Sequence, residues 1–449
     1  MCARERRWRG LSWRWSRTRR AAYFRALLMD RRLFILWFTI FIDLIGFTLF
    51  IPVVPYFSEA VGASEDLVMM SVALFSLMVF LCSPIWGSMS DRIGRRPVII
   101  VSIVITAISY IVFSYATSIV LLFVSRFLTG IGSGNIAAAQ AYVSDMTEPK
   151  DRAKRLGLII GASFGLAFAF GPAIGGYVFH HMGGIQAVGW FATVLCLLNL
   201  VGVIFMLPES LKNPDAERPI NFRPIASTFR ALKDMRFRNI FIIGFVYITA
   251  FSMMNVSIAF LWMQRYNLTV DQTGIMFSMV GVLSAVSQGA LVSVFQRWWG
   301  ERRMMIYGCI LVGLGLALIP FVPVGERANV VMGADGQPLS IDLDLAFVLL
   351  SLVPMILGAV GNACLNPSLV SILSRKSGPH ELGEVMGQNQ GFSSLGRVAG
   401  PAMAGPLYAM GMDLPFIVGG VIMIGTLALV FHYLRTSYTP LAPVSASAD

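Results

Sequence analysis

The chain has 449 residues, of which 56% are apolar and 13% charged, and its formal net charge is +11. A soluble protein of this length needs far more polar surface, so this composition, with a mean hydropathy of +0.71, excludes an ordinary globular domain. Repeated apolar stretches of about 20 residues are each long enough to cross ~30 Å of hydrocarbon. Because backbone polar groups in lipid need internal partners, we predict that these stretches are helices.

The predicted spans form two sets of six. In chain order they cover 33–54, 67–86, 98–116, 119–143, 156–179, 187–207, 239–263, 272–295, 304–323, 345–373, 386–409 and 414–434. We therefore predict an all-α membrane protein with twelve transmembrane helices in two pseudo-symmetric six-helix bundles. The expected regions are a basic cytoplasmic tail at 1–32, a first bundle at 33–207, a cytoplasmic linker at 208–238, a second bundle at 239–434 and a C-terminal tail at 435–449.

The basic residues predict the orientation. If both termini are cytoplasmic, all but four of the 35 Lys and Arg residues lie in inner segments; the exceptions are Arg126 and Arg397 within spans and Arg265 and Arg327 in outer loops. This is a strong positive-inside bias. We expect the positive charge to contact anionic lipid headgroups of the cell inner (plasma) membrane, and not nucleic acid, since no nucleic-acid module is recognisable.

The N-terminal tail, residues 1–32, contains eleven arginines interleaved with tryptophans. It fits an amphipathic segment that binds headgroups. It equally fits a disordered extension that reinforces the orientation, or a start assigned too early, since Met29 stands just before the first span. Elsewhere the cysteines are isolated and the histidines lack metal-ligand spacing, so we expect no disulfide framework, metal site or cofactor.

A short charged link, residues 87–97, joins the second and third spans and reads GSMSDRIGRRP, with glycines at Gly87 and Gly94. A link of this length leaves no room for a domain, so the two helices must be antiparallel neighbours. Its bases are Arg92, Arg95 and Arg96. Asp91 among these bases can pair with Arg95 or cap a neighbouring helix. Asp145, at the inner end of the fourth span, is a second acid for the same cluster.

Three formal charges lie inside predicted spans: Asp43, Arg126 and Arg397. Each costs roughly 2.5–3.5 kcal/mol at a helix centre, which disfavours chance occupancy. Asp43 lies ~15 Å into the first span, where an acid can load and release a proton as access alternates. The alternative is an ion pair with Arg126 that only fastens two helices; we favour proton coupling or cation recognition. Arg397 faces the central cavity or pairs with a backbone carbonyl.

Small residues mark the fifth span, and the pattern recurs in the eleventh. The residues are Gly161, Gly165, Gly171, Pro172, Gly175 and Gly176. Gly171-Pro172-Ala-Ile-Gly-Gly is echoed 229 residues later by Gly400-Pro401-Ala-Met-Ala-Gly, as expected of an internal duplication. Glycines permit close helix approach, and proline frees a carbonyl and bends the helix. Uncharged polar residues in the second bundle are either cavity contacts or inter-helix glue: Asn255, Gln288, Asn362 and Asn366.

The link G-x-x-x-D-R-x-G-R-R resembles the loop between helices 2 and 3 of the major facilitator superfamily, whose members are twelve-helix secondary transporters. The resemblance implies that Asp91, Arg95 and Asp145 form a latch favouring the outward-open state. Arg126, followed by Gly130 and Gly132, resembles the helix 4 motif whose arginine is assigned to proton transfer. The glycine string of the fifth span resembles the antiporter motif of drug:proton exchangers with twelve helices.

Over residues 33–434 the chain resembles bacterial tetracycline-efflux proteins. Acids that those proteins carry in helices 3 and 9 align with Ser109 and near Val312, which argues against tetracycline but leaves proton-coupled efflux intact. A second copy of the charged link, residues 293–303, has Arg297 where Asp91 stands and is degenerate.

The resemblance implies an exporter of a lipophilic or cationic small molecule, of the multidrug or antibiotic-resistance type, acting as a monomer. The alternative is a proton-coupled symporter for a nutrient or metabolite. A sugar-transporter hallmark after the sixth span is only partly present, in residues 208–212 (PESLK). No catalytic constellation is recognisable, so we do not expect an enzyme.

Overall fold

The computed structural model describes residues 31–148, 152–211, 224–288, 292–323, 330–332, 338–341, 345–377 and 381–436. The helices of the first bundle are α1 (Arg31–Leu49), α2 (Val54–Val61), α3 (Glu65–Ile93), α4 (Arg95–Ser114), α5 (Ile119–Gly132), α6 (Ile136–Asp145), α7 (Arg152–Met182) and α8 (Gly184–Met206). The linker contains α9 (Pro224–Arg230). The second bundle contains α10 (Arg238–Tyr266), α11 (Val270–Val286), α12 (Val292–Leu318), α13 (Leu345–Lys376), α14 (Leu382–Met410) and α15 (Leu414–Thr436).

Two of the predicted spans are interrupted helices. The first span consists of α1 and α2, which meet at a bend of 46°. Pro52 and Pro55 stand at this bend, and proline ends a helix because it lacks an amide hydrogen. The fourth span consists of α5 and α6, joined by the 3-10 turn Ser133–Asn135. The first interruption bends the span, and the second places Asn135 within the fourth span.

Within the described residues, nine helices are long and apolar enough to cross a membrane, and α1 with α2 makes a tenth. The prediction of an all-α, multi-pass membrane protein is confirmed. α11 is a shorter apolar helix, and α14, rich in Gly, Ser and Gln, is not among the ten. Each of the twelve predicted spans overlaps a helix, but the count of twelve membrane crossings stays a prediction.

The outer loop 324–344 contains a small antiparallel ladder of β1 (Val330–Met332) and β2 (Pro338–Ile341), which pairs Val330 with Ile341. The sequence leaves this loop undecided between a hairpin and an exposed insertion, and the described residues form the hairpin. Most of the tails, 1–30 and 437–449, and the middle of the linker, 212–223, lie outside the described residues.

Two long helix pairs join the bundles: α7 packs against α11, and α3 against α14. The contacts are backbone to backbone. A Cβ atom added at Gly176 would lie 2.7 Å from the Cα of Asp271, and one at Gly405 would lie 2.8 Å from the Cα of Asp66. Only residues without a side chain permit this approach, as is common between membrane helices.

The bundles are fastened at the end that carries Gly62 and Asn267, which we call the outer side. Gln264 on α10 donates to the Glu65 carboxylate on α3 over 2.8 Å, and the Tyr56 hydroxyl donates to the Leu268 carbonyl. Toward the other end, the inner side, Gly161 on α7 and Gly387 on α14 face open space. The structure is therefore fastened at its outer side by side-chain hydrogen bonds between the bundles, whereas these two glycines of the interface helices have no neighbour among the described residues.

Candidate functional site

Asp43 on α1 is held by the interrupted fourth span. The Asn135 side-chain amide donates to Oδ2 of Asp43 over 3.0 Å and to the Ser102 hydroxyl over 2.8 Å. The other carboxylate oxygen, Oδ1, is buried and has no hydrogen-bond partner among the residues that the structure describes. A carboxylate with one satisfied and one free oxygen in a water-poor interior is suited to accept a proton.

Glycines explain why Asn135 reaches this place. A Cβ atom at Gly130 would lie 2.6 Å from the Met78 Cβ on α3, and one at Gly134 would lie 2.7 Å from the Trp86 ring. A Cβ at Gly132 would overlap the Thr106 side chain on α4. Because these glycines have no side chain, the fourth span packs closely against both α3 and α4. The sequence analysis did not single out Asn135, because a neutral amide in a span gives no charge signal.

Arg126 is only 5% exposed and lies near the outer end of the same span. Its guanidinium lies 4.3 Å from the centroid of the Phe50 ring and 5.2 Å from that of Phe113, an arrangement that stabilises a cation. In the described part of the chain its Nε has no hydrogen-bond partner. None of the ion pairs among the described residues joins Arg126 to Asp43, so the helix-fastening pair that we considered as an alternative is not seen.

At the inner side, Arg95 gathers the acids that the charged link predicts. It forms an ion pair with Asp91, and its Nε lies 3.0 Å from Oδ2 of Asp145. Its Nη1 also donates to the Ser90 hydroxyl over 2.7 Å. The turn before Arg95 uses Gly94 at φ +107°, a conformation that favours glycine. Arg92 is exposed, and Gly87 makes only an ordinary contact with Ala137.

Glu209 is a further acid of this cluster that sequence analysis missed. Its carboxylate accepts from the backbone amides of Arg95 at 3.0 Å and Arg96 at 3.1 Å, at the N-terminus of α4. It also accepts from the amide of Leu211 at 3.0 Å. Such an acceptor satisfies unpaired amides and complements the helix dipole. The available signal was the PES sequence at 208–210, which we weighed only as a partial sugar-transporter hallmark.

The second bundle contains a counterpart of this cluster with reversed charges. Gly300 has φ +65° and ψ 166°, near the +107° and 154° of Gly94, and stands 206 residues later. Glu301, 4% exposed, follows it and forms an ion pair with Arg375 at the inner end of α13. The Ser371 hydroxyl donates to Glu301 over 2.6 Å. The copy that we judged degenerate therefore retains the turn and an ion pair; the side chain of Arg297 is outside the described residues.

The small residues of the fifth span contact two helices in alternation. Gly171 and Gly175 pack on Thr48 and Leu49 of α1, in the same bundle. Gly165 and Gly176 pack on α11 in the other bundle, and the amide of Ala173, just after Pro172, donates to the Ser278 hydroxyl of α11 over 3.0 Å. The antiporter-motif residues thus form the contact surface between the helix that carries Asp43 and the opposite bundle.

The predicted polar residues of the second bundle are partly brought together. The Tyr247 hydroxyl on α10 donates to the Asn362 side chain on α13, and Nη2 of Arg397 donates to the Ser394 hydroxyl over 3.2 Å. Asn366 is exposed one turn beyond Asn362. Asn255 instead bonds a carbonyl of its own helix, and Gln288 is exposed in a π-turn at the end of α11.

The sequence model of the Major Facilitator Superfamily matches residues 36–350. The chain belongs to the Major Facilitator Superfamily. The chain is 28% identical over 383 residues to the class C tetracycline resistance protein of Escherichia coli, covering 83% of this chain and 88% of that protein. It is 28% identical over 402 residues to multidrug resistance protein 2 of Bacillus subtilis (strain 168), covering 88% and 93%.

Among solved structures, the fold is similar to that of the human organic anion transporter MFSD10 (TETRAN). The TM-score is 0.65 at 24% identity, and the match covers 89% of this chain and 99% of that one. The predicted resemblance to the superfamily, and to tetracycline-efflux proteins within it, is confirmed. Membership places the chain among membrane transporters of small molecules.

Proposed function

We propose that the chain is a proton-coupled secondary transporter that exports a small lipophilic or cationic compound by alternating access. The observation that carries the proposal is Asp43, an acid deep in a span whose Oδ1 is buried and unpartnered while Oδ2 is oriented by Asn135. A purely structural acid would have both oxygens engaged or an adjacent base. The proposal includes an inner-membrane location, cytoplasmic termini and a monomer.

In this proposal Asp43 takes up a proton when the outer side is open and releases it inward when the outer side is closed. Release leaves a carboxylate that accepts from the Asn135 amide, and Arg126, in the same span as Asn135, would tune the proton transfer. The compound then binds from the inner side, and the closed outer contacts at Glu65 and Tyr56 must separate before it leaves. Arg95 with Asp91 and Asp145 would gate the inner side.

The names of the relatives support efflux: a tetracycline resistance protein and a multidrug resistance protein each match most of this chain. The acid-free positions at Ser109 and Val312 still argue against tetracycline itself. Ser109 instead donates to the Ser125 carbonyl over 2.7 Å and bonds the Thr129 hydroxyl, which fastens α4 to α5.

The test is proton movement in proteoliposomes that contain a pH-sensitive dye, challenged with lipophilic cations, antibiotics and sugars. We expect proton flux that runs opposite to one of the compounds and is abolished by Asp43→Asn. Glu384→Gln, which removes an exposed acid at the start of α14, is the control and should transport like the wild type. Full activity of Asp43→Asn would remove Asp43 from the coupling step. Flux that moves with a sugar or metabolite would make the protein a symporter.

A further inference from the structure

Arg397 is the one charged residue in the predicted spans of the second bundle, and those six sequence segments contain no Asp or Glu. The acids described at the ends of these helices are engaged elsewhere: Glu301 with Arg375, Glu381 with Arg236, Asp413 with Arg265, Glu384 with Gln388 and Asp271 with Thr269. No ion pair or hydrogen bond in the described part of the chain gives Arg397 an acidic partner. A guanidinium inside a membrane span is costly and marks a functional position by default.

The helix geometry directs Arg397 into the space between the bundles. At 100° per residue, Gly396 and Gly400, which pack on α10, lie about 100° and 60° to one side of it. Gly405, which packs on α3 of the other bundle, lies about 80° to the other side. The exposed residues Met403 and Met410 lie on the far face. Arg397 therefore points between α10 and α3 and not into lipid.

Polar and aromatic residues lie near Arg397. Ser394, one turn before it, accepts from Nη2 over 3.2 Å, and Gly396 packs on Phe245 and Ile248, which flank Tyr247 on α10. Tyr247 is oriented by its bond to Asn362. One turn along α10 the Phe251 ring, 6.3 Å from that of Tyr247, adds an apolar surface. A fixed cation, the Ser394 hydroxyl and an aromatic ring suit a ligand with an anionic group on an aromatic body.

We infer that Arg397, with Ser394, is an anion-binding subsite of the transport pathway that takes the carboxylate of an aromatic organic anion. The inference rests on the proposed proton-coupled export and selects its lipophilic alternative over its cationic one, because the transported compound would carry a negative group that Arg397 neutralises. Asp43, in the opposite bundle, stays available for the proton. In this arrangement the first bundle binds the proton, and the second bundle binds the charged group of the compound.

The test uses three probes of one shape: naphthalene-2-carboxylate, its neutral amide, and 2-naphthylmethylammonium. Uptake of each is measured in proteoliposomes that contain the full-length protein, together with proton flux. We expect the wild type to transport the carboxylate at least about tenfold faster than the amide, the factor that one charge-assisted hydrogen bond supports. Arg397→Gln should reduce the carboxylate-to-amide ratio to about one, and Arg397→Lys should restore part of it.

The ratio is taken within each variant, so it does not depend on how much protein folds. Arg435→Gln removes an exposed arginine at the end of α15 and should leave the ratio unchanged. An unchanged ratio in Arg397→Gln, a faster ammonium probe, or no uptake of the carboxylate by the wild type would each overturn the subsite. Proton flux with any other probe would still support the proposed function, whereas no flux with any compound would overturn both.

Discussion

The inner ends of the two bundles carry the same turn with opposite charges. In the first, Arg95 follows a left-handed glycine and pairs with Asp145; in the second, Glu301 follows such a glycine and pairs with Arg375. The duplicated feature is thus an ion pair between the third and fourth helices of each bundle, and the residue types that form it are not duplicated. Comparing residue types alone hides this correspondence, because the second copy lacks every acid of the first.

The clusters differ in what surrounds the pair. Arg95 serves two acids, and Glu209 adds a third carboxylate at its backbone amide. Around Glu301 the structure shows one base, Arg375, and one hydroxyl, Ser371. Among the described side chains, the first cluster therefore ties together three segments through three carboxylates, while the second is a single ion pair with one hydroxyl. Under the proposed function, this difference fits a gate at Arg95, which opens and closes, and a clamp at Glu301 and Arg375, which stays paired.

The largest effect on stability is expected when the charge of residue 95 is reversed. Arg95→Glu would place its new carboxylate among Asp91, Asp145 and Glu209, and breaking a buried ion pair costs about 3 kcal/mol or more. The expected result is a clear loss of thermal stability of the detergent-purified protein. Arg435→Glu makes the same charge change at an exposed site and should be neutral. Equal stability of the two variants would show that Arg95 is only a headgroup contact.

Exchanging the charges of both partners of an ion pair tests the difference between the two clusters. Glu301→Arg alone should cost roughly 2 kcal/mol, and adding Arg375→Glu should recover most of it, because neighbouring charges couple by this order. The matching exchange in the first bundle, Arg95→Glu with Asp145→Arg, should recover less, since Asp91 and Glu209 still face position 95. A double-mutant cycle on thermal unfolding measures both recoveries. Equal recovery in the two bundles would contradict the distinction between gate and clamp.

A smaller effect is expected at Glu209, which has no counterpart in the second cluster. Glu209→Gln keeps one acceptor oxygen but loses the negative charge at the N-terminus of α4, a loss of about 1 kcal/mol. Glu384→Gln, at an exposed site, is the matched control. We expect slower transport together with the small drop in stability. Unchanged stability and transport would make the Glu209 contacts incidental.

The smallest effect concerns Arg236, which like Arg95 contacts two acids, Asp234 and Glu381, but with a side chain 56% exposed against 7%. Hydrogen bonds from Arg236 lower the pKa of Asp234 below its ordinary 3.8. A lowered pKa in the folded state stabilises the protein above pH 3.8, and this contribution disappears as the pH falls through the folded-state value. Solvent screens it strongly.

The stability difference between wild type and Asp234→Asn should therefore be small near neutral pH and vanish in acid below pH 3.8. Thermal unfolding at low and high salt measures it, and high salt should reduce the difference at neutral pH. A difference that grows in acid would show that the pKa is shifted in the other direction.

Much of the fold follows from the sequence because hydropathy and length determine which segments enter lipid. The twelve predicted spans overlap helices, and the proline bend of the first span lies where Pro52 and Pro55 stand. The weakly apolar α14 has the least support from hydropathy. Its glycines and polar residues serve packing on α3 and α10, a tertiary requirement that composition does not reveal.

The site residues that lie in the charged link were predictable from the sequence, whereas a neutral amide in a span and a single acid in a loop were not. The neighbourhood of Arg95, Asp91 and Asp145 follows from the charged link, and the structure brings the three together. Asn135 and Glu209 were missed, since an amide in a span and an acid in a loop are both unremarkable by type. Only the folded structure, which brings residue 209 next to residue 95, reveals the contact of Glu209 with the Arg95 amide.

The glycine surface between α7 and α11 has a consequence for the speed of transport. Contacts such as that of Gly176 with the Asp271 backbone involve no rotatable side chain. In the proposed alternating-access motion the glycine contacts have no rotamers to rearrange, whereas the Ser278 side chain, which accepts from the Ala173 amide, does. We therefore expect the side-chain contacts, at Ser278 and at the polar outer and inner ends, to contribute more to the activation barrier than the glycines do.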